Sequence, residues 1–135
     1  MTYMLDTNIC IYTIKNKPQN VLLRVQEQIQ SGLCISVITY AELKFGIAKS
    51  DFPERNAKAL SKLLAFVKIL PFEEAAAEEY GKICASLKKK GTPIGVMDML
   101  IAAHAKTSGC IFVTNNVKEF ERVDGLVIEN WAENP

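Results

Sequence analysis

Short apolar runs alternate along this chain with longer stretches in which apolar residues recur every three to four positions. Tyr3-Met4-Leu5 is the first run, and it reads as a buried strand ending at Asp6. Thr7 or Asn8 then caps a helix through Ile9, Ile11, Tyr12 and Ile14, which stops near Asn16-Lys17-Pro18. Val21, Val25 and Ile29 keep helical spacing up to Ser31-Gly32, and Leu33 to Ser36 reads as a second strand. A helix from about Thr39 to Lys49 puts Leu43 and Ile47 on one face. Pro53-Glu54 opens the next helix, with Ala57, Leu60 and Leu64 as its stripe, and Val67 to Leu70 is a strand stopped by Pro71. Ala76, Tyr80, Ile83 and Leu87 mark the clearest helix, closed by three lysines and Gly91. After the Thr92–Gly95 loop, Val96 to Thr107 is helical. Ile111 to Val113 is a strand running into Thr114-Asn115-Asn116, and Leu126 to Ile128 is a last short strand.

Strands that alternate with helices, with no tight hairpin between neighbours, predict an α/β sandwich around a mainly parallel sheet. No repeat, low-complexity tract or linker interrupts the pattern, so residues 1–135 are expected to form one domain.

Three acids stand out by position. Asp6 lies at the carboxyl end of the first strand, where open parallel sheets build their ligand sites. Glu42 lies early in the helix after the second strand, and Asp98 near the start of a helix that is otherwise almost all small or apolar. Carboxylates in such surroundings are costly to bury unless they meet positive charge. A set of oxygen donors, with a single histidine and no CxxC pair in the chain, suits Mg²⁺ or Mn²⁺ rather than zinc. Such a cluster serves phosphodiester hydrolysis, in which the metal polarises the phosphate, activates water and neutralises the leaving oxygen. Each acid also has a plainer reading: Asp6 as a helix cap, Glu42 as a solvent-facing residue, Asp98 as a partner of its helix N-terminus. His104, alone on an alanine-rich helix, reads as a packing residue, and Lys88 to Lys90 as a solvated helix end.

Composition changes this picture little. A hydrophobic fraction of 49% with 23% charged residues marks a folded globular chain, and a formal charge of +1 supplies no global field that would point to nucleic acid. No apolar run approaches the length of a membrane span, and the opening stretch lacks a basic segment ahead of its apolar one. Cys10, Cys34, Cys84 and Cys110 sit far apart in apolar surroundings and read as buried thiols in a reducing compartment. The expected location is the cytoplasm.

Five segments, in order, resemble VapC-type PIN-domain toxins: MLDTNICIY, ISVITYAELKFGIAKS, PIGVMDMLIAAHA, VTNNVKEFERV, and the closing Gly125-Leu126 to Asn130-Trp131. The resemblance implies a PIN-like α/β/α sandwich and a Mg²⁺- or Mn²⁺-dependent endoribonuclease. In it Asp6, Glu42 and Asp98 are catalytic and metal-binding, Thr7 and Asn8 orient the first carboxylate, and Thr114 stands behind the site. It also implies a VapB-type antitoxin whose tail lies in the active-site groove, a homodimer, and contact with DNA only through the antitoxin, which represses the pair's own promoter. Structured RNA is the implied substrate, specifically the anticodon stem-loop of initiator tRNA. The chain departs from the pattern where many PIN domains carry a fourth acid. It has Asn116 there, with Glu119 nearby, so a second ion is expected to bind weakly.

Two other classes compete. Haloacid-dehalogenase-like phosphatases also follow a strand with Asp-Thr, but they need a second Asp two residues on, where this chain has Asn8. A catalytically silent RNA-binding module would be signalled by loss of Asp6, Glu42 or Asp98, and all three are present.

Overall fold

The fold is that of a computed structural model, which describes residues 2–133. Strands β1 (Tyr3–Leu5), β2 (Leu33–Ser36), β3 (Val67–Leu70), β4 (Ile111–Val113) and β5 (Ile128–Glu129) form one five-stranded sheet in the order β3-β2-β1-β4-β5. Every pairing is parallel. Around it lie helices α1 (Thr7–Lys15), α2 (Gln19–Gln28), α3 (Val37–Ala48), α4 (Pro53–Leu64), α5 (Glu74–Lys90), α6 (Val96–Thr107) and α7 (Val117–Phe120).

Why the strands are apolar on both sides follows from the layers. Neighbouring residues in a strand point to opposite faces. Leu5, Leu33, Ile35 and Val113 enter one core with Ile9, Cys10, Val21, Val25, Leu60 and Leu63 from α1, α2 and α4. Met4, Cys34 and Phe112 enter the other, with Ile83 and Leu87 of α5, four α6 residues from Met99 to Ala103, and Phe120 of α7. Parallel sheets covered on both faces read as continuous hydrophobic runs for this reason.

The strand order sets the site. The chain moves outward from β1 through β2 to β3, then returns to the other side of β1 for β4 and β5. The direction therefore reverses between β1 and β4, the kind of switch point beyond whose carboxyl end α/β sheets bind ligands. Asp6 and Thr114 are the residues that follow these two strands.

Several boundaries differ from expectation, each for a local reason. The cap of α1 is Asp6 rather than Thr7 or Asn8, because its own carboxylate accepts the Thr7 N–H. Ser36, whose side chain accepts from Ile38 N, starts α3 at Val37, two residues before the predicted Thr39. The last strand is Ile128–Glu129, in register with Phe112 and Val113, instead of Leu126 to Ile128. The α5 terminus is as expected: Gly91 takes the left-handed conformation (φ 68°), and its N–H bonds back to the last turn. All four cysteines are free, and no helix among the described residues is long and apolar enough to cross a membrane.

Candidate active site

Asp6 is held on both oxygens. Its backbone N–H continues the sheet by donating to Val113 O at 2.9 Å, which fixes the Cα. Oδ1 accepts from Thr7 N at 2.8 Å as the α1 cap, and Oδ2 accepts from the Thr114 hydroxyl at 2.8 Å. Thr114 is in turn fixed, since Asn116 N donates to the same hydroxyl oxygen at 3.0 Å. Asp6 as a whole is only 4% exposed. Burial pushes its pKa above the ordinary value. The bonds from Thr114 and Thr7 pull the other way, and the charges of Glu42 and Glu119 push it up again.

Glu42 arrives from α3. Its Oε1 accepts from the Thr7 hydroxyl at 2.6 Å, and the Thr7 and Thr39 hydroxyls lie 3.3 Å apart. Thr7 thus serves two acids, Asp6 through its backbone and Glu42 through its side chain. Asn8, expected beside Thr7 as an orienting residue, is exposed and makes no side-chain hydrogen bond among the described residues.

Asp98 occupies the first turn of α6, half-buried. Burial, a hydrogen bond with Glu119 and the negative charges of Glu119, Asp6 and Glu42 push its pKa up to about 7. Glu119, from α7, behaves in the opposite sense. Burial opposes its ionisation, but hydrogen bonds from Asp98, Asn116 and the Gly95 N–H, helped by the Arg122 charge, outweigh it and hold the carboxyl below its usual range. Of the two carboxyl groups, Asp98 is therefore the one that favours its proton, and Glu119 the one that favours its charge. Asn116 stands at the cap position of α7 yet makes no side-chain cap bond; its amide donates to Glu119 Oε2 instead.

The fold therefore brings Asp6, Glu42, Asp98, Asn116 and Glu119 to one edge, with Thr7 and Thr114 as their hydrogen-bond donors. His104 is elsewhere engaged, buried with Nδ1 2.7 Å from Ser36 Oγ and packed on the edge of Phe72. Two contributors were not singled out from the sequence, Thr39 and Gly95. Thr39 precedes Glu42 by three residues and so shares its helix face, a readable signal. The role of Gly95, whose N–H faces Glu119 at 3.4 Å, depends on where α7 packs.

Four acids within Coulombic reach, one nearly sealed from water and one pushed to about 7, form a donor set that calls for a cation. The donors are all oxygen, which fits a hard divalent ion. Among the described residues, no three carboxylate, imidazole or thiol groups already close on a single ion-sized point.

Comparison with known proteins bears on this arrangement. The PIN domain model matches residues 3–126. The chain is similar to the "tRNA(fMet)-specific endonuclease VapC" of Shigella flexneri, 46% identical over 132 residues that cover 98% of this chain and 99% of that one. It is equally similar to "Ribonuclease VapC2" of Haemophilus influenzae, at 46% over the same coverage. Among solved structures, VapBC2 from Rickettsia felis, bound to a DNA fragment of its promoter, superposes with a TM-score of 0.92 at 38% identity, covering 97% of this chain and 99% of that one. The DNA-bound VapBC of Salmonella typhimurium gives 0.91 at 45% identity, with 97% and 98% covered.

Proposed function

We propose that this chain, which belongs to the PIN-domain family, acts as the ribonuclease toxin of a VapBC pair, with Asp6, Glu42 and Asp98 as its catalytic and metal-binding carboxylates. It is a nuclease of the divalent-metal-dependent kind, and Mg²⁺, with Mn²⁺ as substitute, is the ion its oxygen donors suit. The observation that carries the reading is Asp6, an acid 4% exposed, gripped on both oxygens and facing further acids. Burying like charges together is costly, and a bound cation reverses the sign of that cost.

Asp6 and Asp98 would hold the ion, with Glu42 beside them. Bound there, it supplies Lewis acidity toward the phosphate and a lowered pKa for water. The chain's own groups do the rest. Thr7 N–H and the Thr114 hydroxyl aim the Asp6 carboxylate, so that no reorientation is needed when phosphate arrives. The Thr7 hydroxyl tethers Glu42 by Oε1 and leaves Oε2 to orient the attacking water. To serve as a ligand, Asp98 would have to release the proton that its raised pKa favours.

The relatives named for tRNA(fMet) make the anticodon stem-loop of initiator tRNA the proposed substrate, since loops present unstacked bases. The whole chain acts as one PIN domain, in the cytoplasm with its tRNA, as a homodimer. Its inhibitor is a cognate VapB antitoxin, as in the VapBC structures it resembles. An arginine from the antitoxin's tail matches these carboxylates bidentately.

Incubating purified protein and Mg²⁺ with initiator tRNA tests the reading. A cut in the anticodon stem-loop is expected. Asp6→Asn or Asp98→Asn should slow it about 10³-fold in a folded protein, since several kcal/mol of charge stabilisation are lost. Parent-rate cleavage by a folded, metal-saturated Asp6→Asn protein would sink the site. Intact initiator tRNA beside another, cut RNA would sink the substrate.

A further inference from the structure

Helix α5, Lys106 of α6 and the 122–124 segment enclose a cleft of about 200 Å³. It is lined by Lys82, Ser86, Lys106 and Arg122, with Glu79 and Asp124. Its charges do not cancel. Lys106 pairs with Glu79 at 2.6 Å, and Lys90 at the rim pairs with Asp124 at 3.1 Å. Lys82 and Arg122 have no carboxylate within ion-pair distance among the described residues. Glu79, Lys82, Ser86 and Lys90 follow one another at helical spacing, so a single face of α5 points cations and a hydroxyl the same way.

Arg122 joins this cleft to the acidic cluster. Its Nη1 donates to Pro93 O at 3.4 Å, in the loop that leads to Gly95 and Asp98, and its charge helps to keep Glu119 ionised. Lys106 lies eight residues along α6 from Asp98, roughly 12 Å at the helical rise.

An acidic site that cuts a polyanion has a problem on either side of the scissile bond, because its carboxylates repel the neighbouring phosphates. Cations must stand just beyond them. We infer that the Lys82–Arg122 cleft is a phosphodiester subsite, which holds the RNA backbone a few nucleotides from the bond that is cut. This rests on the ribonuclease reading. The ligand is the backbone rather than a base, since no aromatic side chain lines the cleft and its donors are two lysines, an arginine and a serine. The cleft therefore adds affinity without adding sequence preference.

The test separates binding from cutting. In the non-cleaving Asp6→Asn protein, Lys82→Glu should weaken initiator tRNA binding about tenfold and lower the slope of log affinity against log salt by about one for each phosphate that is no longer neutralised. In the otherwise unaltered protein, Lys82→Glu and the milder Lys82→Gln/Arg122→Gln pair should raise KM for tRNA. For Lys82→Glu, cleavage of an oligoribonucleotide too short to reach the cleft should stay at the parent rate. Equal tRNA affinity and an unchanged salt slope in Lys82→Glu would overturn the subsite, as would a fall in kcat with KM unmoved. A parent protein that cuts no RNA would instead overturn the ribonuclease reading, while the affinity comparison still decides the cleft.

Discussion

The two halves of the acidic cluster are built by different means. Asp6 and Glu42 are fixed by the fold: a sheet hydrogen bond sets the Asp6 backbone, a helix cap and a buried threonine take its two oxygens, and Thr7 carries the geometry across to Glu42. Asp98 and Glu119 sit at a half-exposed edge, where the Gly95 N–H and an asparagine amide hold Glu119 and the neighbouring acids raise the pKa of Asp98. The first half is preorganised and keeps its shape whatever its charge. The second contains Asp98, whose raised pKa makes its charge responsive to conditions near neutrality. A rigid half that positions and a titrating half that responds to charge give one site both accuracy and dependence on conditions.

The largest effect should come from loosening the rigid half. Thr114→Val keeps the shape but removes the donor to Asp6 Oδ2 and the acceptor for Asn116 N. The buried Asp6 is then short of a donor, which costs about 1–3 kcal/mol, and the half-buried Asn116 N–H of an acceptor, which costs less. Loss of such a supporting bond also typically lowers metal affinity or activity by about 10–100-fold. Chemical denaturation and cleavage kinetics should both register it, and Thr114→Ser should restore both. Full activity in Thr114→Val would show that the cap alone aims Asp6 and that the rigidity of this half is overstated.

Most of the rigid half was legible in the sequence, and the reason is locality. Asp6 follows a strand and precedes a helix, so its place at the sheet edge needs only the hydrophobic pattern of residues 3–14. Glu42 and Asp98 were readable from helix position, and α5, with its lysines and Gly91, from periodicity and the stop signal together. What escaped depends on distant chain. The last strand falls at Ile128–Glu129 because β4 sets its register, which no window around residue 126 contains. The order β3-β2-β1-β4-β5, and with it the switch point, is a property of five segments at once. Thr7 was expected to orient Asp6, which its N–H does; that its hydroxyl turns to Glu42, 35 positions away in sequence, was not foreseen. Lys88 to Lys90 read as a solvated end, and only the packed 122–124 segment gives Lys90 its partner Asp124.

The titrating half predicts a pH dependence of the next magnitude. The pKa of Asp98 is raised in the fold to about 7 from an ordinary 3.8. A raised carboxyl binds its proton more tightly when folded, so its contribution to stability is fully present below pH 3.8 and is lost as pH rises through about 7. The metal-free protein should therefore melt at lower temperature at pH 8 than at pH 6, by an amount moderated by solvent screening of a half-exposed group. Asp98→Asn should flatten that slope. Metal binding should run the other way and strengthen by up to about tenfold per pH unit below 7, since the ion displaces the proton. A melting temperature of the metal-free parent that rises from pH 6 to pH 8, matched by Asp98→Asn, would show that Asp98 is ionised well below neutrality and would remove the contrast between the halves.

The smallest effect concerns Asn116 and Glu119, where the two halves meet. The cap reading of Asn116 requires its side chain to accept a backbone N–H of α7, and it does not; the amide turns to Glu119 Oε2, while Asn116 N goes to Thr114. Glu119 is likewise spent on Gly95 and Asn116 rather than closing a capping box. Neither side chain caps a backbone group of α7; they bond to each other, and Glu119 reaches across to Gly95 beside Asp98. If they supply a second, weaker ion position, Asn116→Asp adds a charge there. It should tighten a second Mn²⁺ while destabilising the metal-free protein, because a donor to Glu119 becomes a like charge. Glu119→Gln should weaken that ion and also lower the pKa of Asp98, since the hydrogen bond and repulsion that raise it are both reduced. Calorimetric titration of the two variants with Mn²⁺ reads stoichiometry and affinity directly. If neither moves while Glu119→Gln lowers only the melting temperature, then Asn116 and Glu119 serve to place α7 against α6, and the ion-binding part of the cluster ends at Asp98.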